Sequence, residues 1–142
     1  ARALNPLDAK YQLIGVAHPT YIPVHAKVAR LLGQSSSLIL KGGGGEAQRN
    51  PLKPCRLTIS DNKSIREETW PALTPKTGIN WRNEDLNPKH AYDLWHGKYS
   101  NPLAKAAVIA TTAIALKLTG VTTSFEEADN LASEMWEKRK RM

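Results

Sequence analysis

Lys41-Gly42-Gly43-Gly44-Gly45-Glu46 carries the residues best suited to chemistry: four consecutive glycines between a cation and a carboxylate. Glycines lack a Cβ, so their backbone N–H groups can approach an anion closely. A carboxylate in such a loop is placed where a magnesium–phosphate complex could sit, and Glu46 is the one candidate metal ligand of this kind. A hard cation usually takes one or two carboxylates plus water and phosphate. Glu46 has no acidic neighbour within ten residues on either side, which argues against a competent metal site. The spacing is not that of a nucleotide-binding P-loop, because no Lys-Ser or Lys-Thr succeeds the last glycine. It is not a dinucleotide fingerprint, because Asn50-Pro51 and Pro54 interrupt the segment where a helix would have to open. The alternative is a plain connecting loop between two strands.

The basic residues around this loop are better organised than the acids. Lys41, Arg49, Lys53, Arg56, Lys63 and Arg66 lie within one stretch, opposed only by Glu46 and Asp61. Lys76 and Arg82 come next, with Trp70 and Trp81 interleaved. Cations that track phosphates and indoles that stack on bases are what single-stranded nucleic acid binding uses. Lys41, Arg49, Lys53, Arg56 and Arg66 are the expected nucleic-acid contacts, and Gly42, Gly43, Gly44 and Gly45 the expected phosphate loop. Taken alone, the tryptophans read better as core residues. Twenty Lys and Arg against thirteen Asp and Glu give a formal charge of +7, which favours DNA, RNA or phosphorylated partners.

Catalytic signatures are sparse, and no residue is assigned a catalytic role. His90 and His96 are six apart on an expected helix and point to different sides. His18 ends a strand near an expected cleft, where a loop or capping histidine is the commoner finding. Neither G-x-S-x-G nor H-E-x-x-H occurs. Cys55 is the single cysteine. It excludes an intrachain disulfide and fits a reducing cytosol, and its apolar setting reads as core. No apolar signal segment opens the chain. Ala104 to Leu118 contains Lys105, Lys117, Thr111 and Thr112, so a buried helix is expected there rather than a membrane span.

The elements that must position these residues alternate along 142 residues, the size of one domain. Tyr11–Val16 reads as a strand and Ser36–Lys41 as a second, continuous and apolar at its centre. Between them Pro23 opens a helix on which Val24, Val28, Leu31 and Leu32 recur, and Gly33 stops it. This is a βαβ unit, so the two strands should be parallel. Arg56–Ser60 alternates, Asp61-Asn62-Lys63-Ser64 turns, and Ile65–Trp70 returns as a hairpin partner. Residues 71–86 lack a period and read as a long loop. Asn87-Pro88 and Asn101-Pro102 each cap and open a helix, with Gly97 and Gly120 as stops. Ser124 and Glu127 form a capping box for a last helix with Phe125, Ala128, Leu131, Ala132, Met135 and Trp136 as its apolar face. That helix ends in Lys138-Arg139-Lys140-Arg141, which complements its dipole.

Three segments, in order, resemble the C-terminal α/β domain of glycosyltransferase family 3, the family of the anthranilate phosphoribosyltransferases. They are Asn5–Val16, Leu38–Asn50 and Ala107–Gly120, similar to that family's Asn-Pro loop and strand, its glycine-rich acidic loop and its late Ala-rich helix. The resemblance implies an α/β fold, a central sheet flanked by helices, like the large domain of the nucleoside phosphorylase/phosphoribosyltransferase fold. It implies that residues 1–142 are one C-terminal domain, preceded in a longer protein by a helical domain and further strands, and that the whole protein forms a homo-oligomer. It also implies two functions. Enzymes of the family transfer phosphoribose from phosphoribosyl pyrophosphate to an aromatic amine such as anthranilate, with Mg²⁺ held by an Asp-Glu pair in the glycine loop. Here only Glu46 matches, and Thr111 stands where the enzymes commonly have Asn. The pattern looks more like the branch of basic proteins that keep the fold and bind nucleic acid. The expectation is therefore a cytoplasmic nucleic-acid-binding protein without biosynthetic activity and without a cofactor; Mg²⁺ belongs to the enzyme alternative.

Overall fold

A computed structural model describes residues 3–74 and 87–139. Within the expected long loop, Lys76, Trp81 and Arg82 lie outside the described residues, as do Lys140 and Arg141 at the end of the basic tail. The described elements are β1 (Tyr11–Val16), a 3₁₀ turn (Pro19–Tyr21), α1 (Ile22–Leu31), β2 (Ser36–Lys41), β3 (Cys55–Asp61), β4 (Ile65–Trp70), α2 (Pro88–Trp95), α3 (Pro102–Leu118) and α4 (Phe125–Lys138).

The strands form one mixed sheet in the order β1-β2-β3-β4. β1 and β2 are parallel, with Val16 opposite Lys41. β3 runs antiparallel to β2, and β4 returns beside β3 with Cys55 opposite Trp70. The βαβ unit and the hairpin are those the sequence predicts. One end of the sheet therefore gathers the carboxyl ends of β1, β2 and β4 and the start of β3. Side chains alternate between faces along each strand. Leu38, Leu40, Cys55, Leu57 and Ile59 face α3 and α4, where they pack with Ile109, Ala113, Ile114, Ala128, Ala132 and Trp136. Ile14, Val16 and Ile39 face α1, against Ile22 and Ala26. The sheet is thus covered on both faces, which is why β2 is buried along most of its length.

The helix boundaries reflect their local chemistry. Asn87 accepts from the N–H of Lys89, and Asn101 from those of Leu103 and Ala104. Gly33, Gly97 and Gly120 stop their helices at positive φ of 69°, 74° and 77°. At α4, Ser124 accepts from the Glu127 N–H at 3.1 Å. The Glu127 carboxylate reaches back to the N–H of Thr123, one residue earlier than a standard capping box places it. On α4, Ala128, Ala132 and Trp136 are buried, whereas Met135 is exposed because it sits on the flank of that face.

Candidate functional site

The glycine loop leaves the carboxyl end of β2 and folds against the ends of β1 and β2. Gly15 and Gly42 make that approach possible. A Cβ on either would lie 2.0 Å from the Glu46 carbonyl oxygen, well inside contact distance. The loop is therefore docked onto the sheet by its backbone. Arg49 continues the anchor: its backbone N–H donates to Thr111 Oγ1 at 3.2 Å, and Thr111 donates in turn to the Ala107 carbonyl.

Arg49 departs from its expected role. Its side chain is 0% exposed, and Nη1 donates to Asp129 Oδ1 at 2.6 Å. Nη2 donates to the Pro71 carbonyl at 2.8 Å, and the guanidinium stacks 5.1 Å from the Trp70 ring centroid. A buried charge is held only by paired and hydrogen-bonded neighbours, so this group is committed to joining the loop to α4 and β4. Trp70 is buried beside it and packs against Phe125; it is a core residue, not a stacking platform.

Arg66 departs as well. It stands opposite Ile59 in the β3–β4 ladder, near the far end of β4 from the glycine loop. Its parity puts it on the face opposite to Arg56. There it donates to Asp61 Oδ2 at 2.6 Å and holds that carboxyl down to about 2, helped by the N–H groups of Ser64 and Lys63.

Lys41, Lys53 and Arg56 do come together. They line a cleft of about 520 Å³ with Gly42, Gly43 and Asn50, walled by Pro19 of the 3₁₀ turn and by Ile22 and Pro23 at the start of α1. Glu67 is the only acid lining it among the described residues; it accepts from Thr58 Oγ1. Among the described residues, none of the three cations is in an ion pair. Lys41 Nζ donates only to the neighbouring Gly42 carbonyl. Three cations without an ion-pair partner among the described residues, at the carboxyl end of parallel strands, are suited to a phosphate oxyanion.

Glu46 closes onto its own loop. Oε1 accepts from the Gly43 N–H at 2.5 Å and Oε2 from the Gly44 N–H at 2.6 Å. Burial pushes its pKa up, but the N–H groups of its own residue, Gly44 and Gly43 and the Lys41 charge outweigh it, and the net shift is downward. The magnesium ion implied by the resemblance does not fit this arrangement. Both carboxylate oxygens are taken by backbone donors, and among the described residues no three His, Cys, Asp or Glu side chains converge. Cys55 borders the same cleft but is buried; burial pushes its thiol up, partly offset by Arg49, a setting that disfavours the thiolate.

A second hollow of about 640 Å³ lies between α2 and α3, with Leu13, Leu94, Val108 and Ala115 as apolar walls and His90 and Tyr99 stacked at its edge. His96 stacks on Tyr92 instead, so the two histidines serve separate contacts, as their spacing predicts. No described helix is long and apolar enough to cross a membrane.

Fold and loop together define an α/β domain with its glycine loop at the carboxyl end of parallel strands. The chain belongs to the glycosyl transferase family through its a/b domain, which matches residues 3–139. It is 31% identical over 107 residues to an anthranilate phosphoribosyltransferase of Synechococcus sp. (strain JA-3-3Ab), covering 75% of this chain and 28% of that protein. It is 25% identical over a 147-residue alignment to an anthranilate phosphoribosyltransferase of Novosphingobium aromaticivorans, covering 94% of this chain and 42% of the relative. A shorter match, 44% over 41 residues, covers 29% of this chain and 12% of the same-named protein of Polynucleobacter necessarius subsp. necessarius. The chain thus spans less than half the length of these curated relatives.

Proposed function

We propose that this anthranilate phosphoribosyltransferase-like domain binds the phosphate backbone of nucleic acid at the cleft beside its glycine loop. The observation that carries the reading is the meeting of Lys41, Lys53 and Arg56, unpaired among the described residues, with the Gly42–Gly43 edge. Arg49 and Arg66, bound in ion pairs elsewhere, have no part in it. Backbone phosphates recur along a strand, so a cationic rim without a specific base pocket suits binding of low sequence preference. The charge of +7 supports a polyanion over a small metabolite. A reducing, cytoplasmic setting, the remainder of a longer polypeptide and a second copy of the protein belong to the same proposal.

The other reading is phosphoribosyl transfer, favoured by the family and by the names of the relatives. Its chemistry needs stabilisation of a departing pyrophosphate. Glu46 is the only loop carboxylate, and it is held by two backbone N–H groups. Fluorescence anisotropy with a labelled single-stranded oligonucleotide, run beside a turnover assay with phosphoribosyl pyrophosphate, anthranilate and Mg²⁺, separates the two. Saturable oligonucleotide binding without turnover is expected. Turnover, with no oligonucleotide binding at low salt, would reverse the assignment.

A further inference from the structure

The Glu46 carboxylate occupies the position an external anion would take. Its oxygens sit 2.5 and 2.6 Å from the N–H groups of Gly43 and Gly44, the geometry of charge-assisted hydrogen bonds to an oxyanion. The pair of N–H groups is a backbone nest already filled from within. The two glycines and Glu46 itself are all exposed, so the carboxylate closes the nest from the solvent side without being buried. A Cβ on Gly43 would stand 2.9 Å from Glu46 Oε1, and one on Gly44 3.3 Å from Oε2. Glycine at these two positions therefore admits the carboxylate, whereas at Gly15 and Gly42 it admits the loop backbone. Lys41, Lys53 and Arg56 line the neighbouring cleft together with Gly42 and Gly43. They would hold a phosphate in place only weakly while the two best-oriented donors are spoken for.

We propose that the Gly43–Gly44 N–H pair is a phosphate site and that Glu46 is its displaceable internal occupant. A phosphate group, free or as part of a diester backbone, enters by replacing the carboxylate on the two N–H groups; Glu46 then swings into solvent. The proposal rests on the loop being an anion site, but not on nucleic acid being the anion. Its consequence is specific. Removing the Glu46 side chain exposes two preoriented donors, whereas removing another negative charge from the cleft only changes the local potential. Glu67 supplies that control, since it lines the same cleft and holds no loop N–H.

The test uses Glu46→Ala, Glu46→Gln and Glu67→Gln, with inorganic phosphate as the probe and the Gly43 and Gly44 amide signals in ¹⁵N spectra as the readout. In Glu46→Ala both signals should shift saturably with phosphate. Affinity should rise at least about tenfold over the unchanged protein, a factor equal to one charge-assisted hydrogen bond no longer lost to internal competition. Glu46→Gln keeps one acceptor and should fall between. Glu67→Gln should gain about threefold or less, as expected of one exposed charge. Equal gains in Glu46→Ala and Glu67→Gln would overturn the proposal, as would phosphate shifts that bypass Gly43 and Gly44. Phosphate capture by Glu46→Ala with no oligonucleotide binding by the unchanged protein would sink the nucleic-acid reading alone. Oligonucleotide binding that Glu46→Ala leaves unimproved, with the two amides unmoved by phosphate, would sink this proposal alone.

Discussion

Arg49 offers the sharpest perturbation, because sequence and structure assign it different work. Its guanidinium is wholly buried, pairs with Asp129, donates to the Pro71 carbonyl and covers Trp70. Among the described residues its Nε has no hydrogen-bond partner, so the Asp129 carboxylate, one carbonyl and the Trp70 ring carry the compensation of a buried charge. Removing one member of a buried pair costs about 3–5 kcal/mol, because the other charge is left uncompensated. Asp129→Ala strands the buried member and should fall within that range. A loss of that size lowers the melting temperature by roughly 10–20 °C in a domain of this length. Arg49→Met strands only the carboxylate, which is 14% exposed and can take up water, so its cost should be smaller. Arg49→Met with Asp129→Leu removes both charges and should lie within about 1 kcal/mol of the starting stability. Urea unfolding followed by tryptophan fluorescence reads all three. The reasoning fails if Asp129→Ala costs less than about 1 kcal/mol, or if the double variant is no better than Asp129→Ala. Binding supplies a second check: Arg49→Met should leave the salt dependence of oligonucleotide affinity unchanged, since the side chain contacts no solvent.

The same geometry fixes three further outcomes. Gly15→Ala and Gly42→Ala each drive a Cβ against the Glu46 carbonyl; each should destabilise by about 1–3 kcal/mol or more and shift the Gly43 and Gly44 amide signals. Gly33→Ala, with nothing near its Cβ, should cost only its positive-φ strain, about 1 kcal/mol, and leave those signals in place. Asp61, lowered from 3.8 to about 2 chiefly by Arg66, contributes stability that is fully present above its unfolded pKa. That contribution is lost as pH falls through the folded value, so acid titration should show a stability loss between about pH 4 and pH 2 that Asp61→Asn lacks.

The architecture was legible where the signal was local. The βαβ unit is written in Tyr11–Val16, Pro23 and Ser36–Lys41, and the hairpin in the Asp61–Ser64 turn between alternating runs. The helix ends are set by Asn87-Pro88, Asn101-Pro102 and Gly120. The candidate site was legible in part. Strand ends and a glycine loop pointed to the rim where Lys41, Lys53 and Arg56 meet. Arg49 and Arg66 are placed apart from that cleft, in ion pairs with Asp129 and Asp61, because charge and proximity in sequence do not reveal a partner. Asp129 lies 80 positions away on α4, beyond the reach of any local pattern. The position of Arg66 was within reach of the sequence: a one-residue change of parity along a strand changes the face, and the hairpin places it at the turn end. The turn of Glu46 onto Gly43 and Gly44 is local in sequence, but it depends on backbone angles that four glycines leave open.

The central claim, phosphate-backbone binding by the cleft, is tested most directly by the salt dependence of single-stranded DNA affinity, compared between the unchanged protein and the Lys41→Glu, Lys53→Glu, Arg56→Glu triple variant. Each phosphate contact contributes a slope of about −0.7 in log affinity against log salt. Loss of three contacts should therefore flatten the slope by about 2 units and weaken every sequence alike. The same triple reversal with an unchanged slope and affinity would contradict the account.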